Sequence, residues 1–313
     1  MNAELEQMRA NAQAGRAGLH LGIPESRYHD DCLAPEPSLS SSIAKVLLYD
    51  CPRLAWWKHP RLNPDWREEE FSSEKQKMLD LGEVRHKLVL ETGGKIDVTP
   101  PSVWVIEADN WRKKVTQDAR DEAHANGLTP ILLKDFGACQ RMANALHSQL
   151  AQTELAGVFL HGDAEVTGLW QDDGGVWCRI RPDWLTTDRT LIVDYKTTDT
   201  SPEPEAFLRQ IAYMGYDLQD GMYVRGVKRI TGIEPKFVFL VQSASEPYLI
   251  SLVGLNPASM AFADYQAQRA IDLWAKCLRE NTWPAYPKRI CWGEIAAWRQ
   301  AQFVEKELRE EIE

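Results

Sequence analysis

Apolar residues recur along this chain with two different periods, and the switch between them divides the sequence. Over residues 67–91, Phe71, Met78, Leu79, Leu81, Val84, Leu88 and Val89 form a stripe at helical spacing. Segments 107–126 and 135–150 keep that period and are parted by Gly127 and Pro130. An earlier helix is predicted from the cluster Ser40-Ser41-Ser42, whose hydroxyls suit an N-cap, to about Asp50. Near residue 164 the period shortens to two. Residues 164–170, 176–181 and 190–196 read as strands joined by the turns QDDGG and TTDR. A long helix follows from Pro202, then strands over 236–242 and 247–253 around SASE. Helices over 257–280 and 293–312, separated by the loop WPAYP, close the chain. Residues 1–35, punctuated by Pro24 and Pro35, show no lasting period and read as a partly ordered arm. That leaves 36–313 as one domain: a helical part over 36–160, a sheet with flanking helices over 161–290, and a C-terminal helix over 291–313. The fold class is α/β (α+β), a central mixed β-sheet flanked by helices.

Composition narrows this picture. An apolar share of 44% in 313 residues can fill a substantial core. The net charge of −10 argues against indiscriminate nucleic-acid binding, but it allows basic residues gathered on one surface. No apolar run reaches the roughly 18–20 residues that cross a bilayer. The N-terminal stretch MNAELEQMRANAQAGRAG lacks the apolar core of a secretory signal, so a cytoplasmic protein without membrane attachment is expected. The cysteines at 32, 51, 139, 178, 277 and 291 form no CxxC pair and read as reduced, small apolar residues.

One strand carries charge where charge is costly. After Leu191-Ile192-Val193 come Asp194 and Lys196, on one face by strand geometry, with Tyr195 on the other. Such charges need a partner or a metal. Taken alone, the pair also fits a strand ion pair. Asp183, after Pro182, ends the strand before, and Glu165 lies on the strand before that. Strands less than about 5 Å apart could bring these carboxylates to one patch. Three carboxylates together repel unless a cation neutralises them, and hard oxygen ligands suit Mg²⁺ or Mn²⁺. Lys196 beside them could orient a water for attack on phosphorus. A P-loop glycine signature is missing, which speaks against a fused ATP-driven motor.

Pro182-Asp183, ten intervening residues, then Asp194-Tyr195-Lys196 resembles the core motif of the PD-(D/E)xK nuclease superfamily. Upstream, GEVRH places His86 on a predicted helix, similar to the helical motif before the sheet in RecB-type nucleases. Downstream, QIAYMGY places Gln210 and Tyr213 three apart on one helix face, similar to the Q-x-x-Y motif of that group. With YHDD, SLSSSIAKVLL, CPRLAWW, AEVTGLW, CRIRPDWL and VDYKTT, residues 28–290 resemble the exonuclease domain of the RecE (exodeoxyribonuclease VIII) group and its phage relatives.

That resemblance implies a PD-(D/E)xK nuclease core, with Asp183, Asp194 and the Tyr195 main-chain carbonyl facing a metal. It implies that His86 and Glu165 complete the metal environment, that Lys196 assists the attacking water, and that Gln210 and Tyr213 shape the site or hold DNA. It further implies Mg²⁺-dependent, 5′→3′ digestion of linear double-stranded DNA from its ends, leaving 3′ tails. A ring-shaped homo-oligomer (trimer or tetramer), a RecT-type single-strand annealing partner and a bacterial or phage setting come with it. Some RecB-type relatives hold an iron–sulfur cluster through one early and three late cysteines. Cys51 stands in such a context, but Cys277 and Cys291 stand alone, so no iron–sulfur cluster is expected. Candidates for a basic DNA channel are Arg53, Lys58, Arg61, Arg179, Arg181, Arg209, Arg225 and Lys228, with Trp56 and Trp57 able to stack on bases. An endonuclease on the same fold and a catalytically silent DNA-binding subunit are the alternatives.

Overall fold

The computed structural model describes residues 16–67, 71–91 and 99–310. In chain order the first part contains β1 (Gly18–His20), α1 (Glu25–His29), β2 (Leu39–Ser40), α2 (Ser41–Lys45) and α3 (Pro52–Lys58), with α2 running on into a wider π turn over Val46–Asp50. Next come α4 (Ser73–Leu90), β3 (Val103–Ile106), α5 (Lys114–Ala125), β4 (Thr129–Leu132) and α6 (Leu133–Leu150). The strands β5 (Gly162–Ala164), β6 (Thr167–Gln171), β7 (Trp177–Ile180), β8 (Trp184–Thr186) and β9 (Leu191–Thr198) follow. After them lie α7 (Pro204–Met214), α8 (Tyr216–Thr231), β10 (Lys236–Ser243), β11 (Ile250–Val253), α9 (Pro257–Glu280) and α10 (Ala297–Glu310).

A four-stranded sheet runs β1-β6-β7-β2, a five-stranded one β11-β10-β9-β8-β5, and β3 pairs with β4. The two larger sheets share one hairpin. Its outer half pairs β6 with β7, and its inner half pairs β5 with β8. Gly168 faces Ile180 and Ala164 faces Trp184, so counting inward sets Glu165 opposite Asp183 at the bend between the sheets. On the far side β8 pairs with β9 through Trp184–Val193, and one step further places Asp183 beside Asp194. The ladder stops there.

The five-stranded sheet is buried on both faces, as its near-continuous apolar strands require. Ile192, Phe237, Phe239 and Val241 pack into a core shared with α2, α8 and α9. Val193, Tyr195 and Leu240 point the other way, into a core shared with α4 and α6. The period-two pattern of β9 therefore sends Asp194 and Lys196 towards α8 and Tyr195 towards α4.

Several segments differ from the sequence expectation. Residues 16–35 are built into the fold: β1 pairs with β6, and Ile23, Leu33 and Ala34 pack on Leu169. Residues 1–15 of the expected arm lie outside the described residues. The turn expected at TTDR begins only after a short strand, β8, since Trp184 and Leu185 already pair with β9. Strands β3 and β4 are four residues each, too short for a periodic signal to separate them from the helices around them. Elsewhere Ser40 caps α2 by accepting the Ile43 N–H at 3.3 Å, and α9 spans 257–280. Among the described residues no helix is long and apolar enough to cross a membrane.

Helix α8 presses against α9 at Gly221, where an added Cβ would collide with the Ala263 carbonyl. Gly221→Ala is expected to cost about 1–3 kcal/mol through overpacking, lowering the thermal midpoint by several degrees in a melting scan. An unchanged midpoint would show that the two helices can part without loss.

Candidate active site

The bend in the shared hairpin is where the acidic residues meet. Glu165 sits there with φ of +53°, a conformation that costs a side-chain-bearing residue about 1–3 kcal/mol. It is therefore not inside a strand, as its spacing suggested, but at the crossing between β5 and β6. Its N–H donates to the Asp183 carbonyl at 3.0 Å, which keeps the two residues opposite each other. Beyond the last β8–β9 pair, the Tyr195 N–H has no strand partner on that edge and donates to Asp183 Oδ2 at 2.8 Å. The Asp183 side chain thus replaces the missing rung.

The open edge lets side chains from both faces reach Asp183. From α4, His86 Nδ1 comes within 3.6 Å of Asp183 Oδ2. One ligand atom each from His86, Glu165 and Asp183 lies within 4.8 Å of the others. The His86 ring rests against the Tyr195 ring at 4.9 Å between centroids. Tyr195 is in turn fixed by donating its hydroxyl to Gln242 Oε1 at 2.6 Å, and Gln242 donates to the Met142 carbonyl at 2.8 Å. The imidazole is braced from behind.

Asp194 and Lys196 approach from the α8 side. Asp194, 0% exposed, pairs with the Lys196 ammonium through Oδ2 and accepts from Gln219 Nε2 at 2.7 Å through Oδ1. The Lys196 side chain is 19% exposed, and its ammonium lies 5.1 Å from the Tyr216 ring centroid. Glu165 is held by Arg181, whose Nε donates to its Oε2 at 2.7 Å.

The electrostatics show what this row lacks. Burial, then the charge of Asp183, pushes Glu165 up to about 7 against the pull of Arg181. Burial also raises Asp183, although Lys196 and the Tyr195 N–H oppose it. Asp194 is pushed to about 6 by burial, with Lys196 opposing and Asp183 reinforcing. Burial and then Lys196 bring His86 down to about 4, so its imidazole is neutral with a lone pair to offer. Burial alone would lower Lys196, but Asp194 and Asp183 outweigh it and hold it above the ordinary lysine range as a firm cation. Three crowded carboxylates and a neutral imidazole fit a hard divalent cation such as Mg²⁺ or Mn²⁺. His86, Glu165 and Asp183 are placed to hold it, with Asp194 next in the row.

Among the described residues, two other expected site residues, on the helix that follows β9, make no hydrogen bond or ion pair with this row. Gln210 is half-buried and Tyr213 is 88% exposed on α7. The amide and aromatic ring that meet Asp194 and Lys196 belong to Gln219 and Tyr216 on α8, which also stand three apart. Gly215, at φ +64°, breaks the helix between the two pairs, and a Cβ there would sit 2.6 Å from the Tyr49 ring. The break re-aims the second pair towards the sheet.

Of the basic candidates, Arg179 cannot reach DNA. Its side chain is 4% exposed and pairs with Asp31 at 2.9 Å. Arg181 is occupied by Glu165, by the Ile23 carbonyl at 2.9 Å and by Thr167 at 3.1 Å. Arg61 donates to the carbonyls of Ala34 and Pro35, each at 2.8 Å. Arg225 pairs with Asp264 at 2.7 Å, and Lys228 with Glu234 at 2.5 Å. Arg53 lies over the half-buried Trp56 ring at 4.2 Å, while Trp57, Lys58 and Arg209 are exposed. Lys45, within SLSSSIAKVLL at the end of α2, reaches the Tyr216 ring at 5.5 Å.

Comparisons with known proteins agree with this geometry at the level of the fold. Residues 59–293 match the family described as a PDDEXK-like domain of unknown function, DUF3799. No curated protein matches the chain in sequence. Among solved structures, the chain is similar to a candidate exonuclease from Eubacterium rectale, with a TM-score of 0.53 and 14% identity over 88% of this chain and 96% of that one. A weaker likeness, to the structure of SSO0001, has a TM-score of 0.26 and 13% identity over 66% and 88% of the two chains and carries no argument.

Glu165 and Asp194 must lose their protons before a cation can take their oxygens, so metal affinity rises with pH through about 6 and about 7. Calorimetric titration with Mn²⁺ is expected to show a fall of roughly tenfold or more from about pH 8 to about pH 5.5. Glu165→Gln should bind more weakly and show a flatter pH profile. A wild-type affinity independent of pH would contradict the ligand set.

Proposed function

The chain belongs to the PDDEXK-like domain family, and on that footing we propose that it is a divalent-metal-dependent nuclease, in our reading an exonuclease acting on linear double-stranded DNA. The observation that carries this reading is the row Glu165–Asp183–Asp194, faced at Asp183 by neutral His86 and paired at Asp194 with Lys196. A bound Mg²⁺ or Mn²⁺ would neutralise charge gathering on the phosphate and lower the pKa of water.

The residues of the chain do the positioning. His86, Glu165 and Asp183 would hold the cation at the edge of the sheet. Asp194 and Asp183 hold Lys196 above the ordinary lysine range, so it enters the site as a donor and a charge. Tethered to Asp194 and resting on Tyr216, its ammonium can hold the attacking water or a non-bridging phosphate oxygen in line. Gln219 keeps Asp194 from turning away.

The resemblance to the RecE group supports a finer reading: 5′→3′ digestion from DNA ends, 3′ tails for strand annealing, a RecT-type partner, and a ring of three or four subunits in a bacterial or phage cytoplasm. The match in fold to a candidate exonuclease over most of both chains is in keeping with this reading.

Linear and covalently closed duplex DNA, incubated with the protein in Mg²⁺ or in EDTA, test the reading. Linear DNA should be degraded, closed circles should survive, and EDTA should stop the reaction. Asp183→Asn and Lys196→Ala should each slow cleavage roughly a hundredfold to a thousandfold, the scale of losing one aimed electrostatic contact. Cutting of closed circles would favour an endonuclease, and EDTA-resistant cleavage would remove the metal site from the account.

A further inference from the structure

The carboxylate row has two lysines beside it, and only one has an anionic partner. Lys196 is neutralised by Asp194. Lys45, half-buried at the end of α2, makes no ion pair with any carboxylate among the described residues. Its ammonium lies 5.5 Å from the centroid of the Tyr216 ring, and that of Lys196 lies 5.1 Å from the same centroid. Gly215 lies alongside, and a Cβ there would stand 3.2 Å from the Lys45 Cδ. Burial and the nearby charge of Lys196 both act against the Lys45 ammonium, and Asp194 favours it only in part.

A half-buried ammonium within electrostatic reach of another ammonium is a poor arrangement unless an anion offsets them. It is also costly to hold a flexible lysine in place without a partner, and the Tyr216 ring does that here through its face. We propose that Lys45 is a phosphate-binding residue of the site, donating to a non-bridging oxygen of the DNA backbone phosphate at, or next to, the bond being cut. This rests on the nuclease reading and adds to it a contact with the substrate strand. The roles of the two lysines then separate. Lys196 is tied to the carboxylate row and acts where the cation sits, whereas Lys45 brings an uncompensated positive charge from a different element and fixes the strand's register.

The test measures binding of a fluorescently labelled linear duplex by anisotropy across a salt series, with Ca²⁺ in place of Mg²⁺, for wild type, Lys45→Met and Lys45→Arg. Methionine keeps the apolar stem against Tyr216 and removes the charge. Lys45→Met should bind roughly tenfold more weakly, as expected for loss of a charged hydrogen bond. Its plot of log affinity against log salt should be shallower by about one, the signature of one lost phosphate contact. Lys45→Arg should restore most of both, and all three proteins should melt together. Wild-type affinity and slope in Lys45→Met would overturn the proposal while leaving the nuclease reading intact. Equal losses in both variants with lowered melting points would assign Lys45 a packing role and overturn it as well. If wild type neither binds nor cuts DNA in Mg²⁺, the nuclease reading itself fails and takes this proposal with it.

Discussion

Strand register places three carboxylates in one transverse row, and the rest of the site follows from that constraint. Glu165, Asp183 and Asp194 occupy neighbouring positions on three successive segments, because the hairpin keeps an unbroken register through its bend and β8 carries it on to β9. Like charges a few ångströms apart at an effective dielectric of about 20 repel by about 3–4 kcal/mol. The protein does not dissolve this repulsion by pairing every acid. Arg181 takes part of Glu165 and Lys196 part of Asp194, and two of the three carboxylates still sit well above their ordinary range. A row left short of positive charge, with a neutral imidazole facing it, suits a cation.

The surroundings make sense as supports for that row. The bend at Glu165 ends the β6–β7 ladder where β5 and β8 take up the second sheet, and the strain at φ +53° falls on the residue that carries a carboxylate. The early end of the β8–β9 pairing opens the edge through which His86 reaches Asp183. Tyr195, between Asp194 and Lys196, gives its N–H to Asp183 and its ring to His86. One residue on β9 thus orients a ligand candidate on each of two other elements. The break at Gly215 performs a similar task on the far side, turning Tyr216 and Gln219 towards Lys196 and Asp194.

Much of this was legible from residues alone, for identifiable reasons. Asp194 and Lys196 stand out because period-two alternation is a strong signal and charge in an apolar strand is anomalous. Asp183 stands out through its spacing to them. His86 is visible only through the motif around it, since a single histidine on an amphipathic helix has no signature of its own. The Gln210/Tyr213 pair shares its spacing with Tyr216/Gln219, and helix periodicity cannot tell which of the two faces the sheet when a glycine lies between them. The paired arginines are illegible for a different reason. Arg179 and Arg181 sit on an alternating strand as DNA-binding residues would, and only the fold reveals that Asp31 and Glu165 face them. Residues 16–35 show no period because they contribute one short edge strand and one five-residue helix, neither long enough to establish it.

The central claim is that α4 and the bent hairpin close around one divalent cation. Pulsed electron paramagnetic resonance of the Mn²⁺-loaded protein tests it most directly, because a coordinated imidazole nitrogen couples to the metal electron spin. Wild type should show nitrogen modulation that disappears in His86→Gln while Mn²⁺ remains bound, more weakly, through the carboxylates. A wild-type spectrum without nitrogen coupling, or one that persists unchanged in His86→Gln, would contradict the site as drawn.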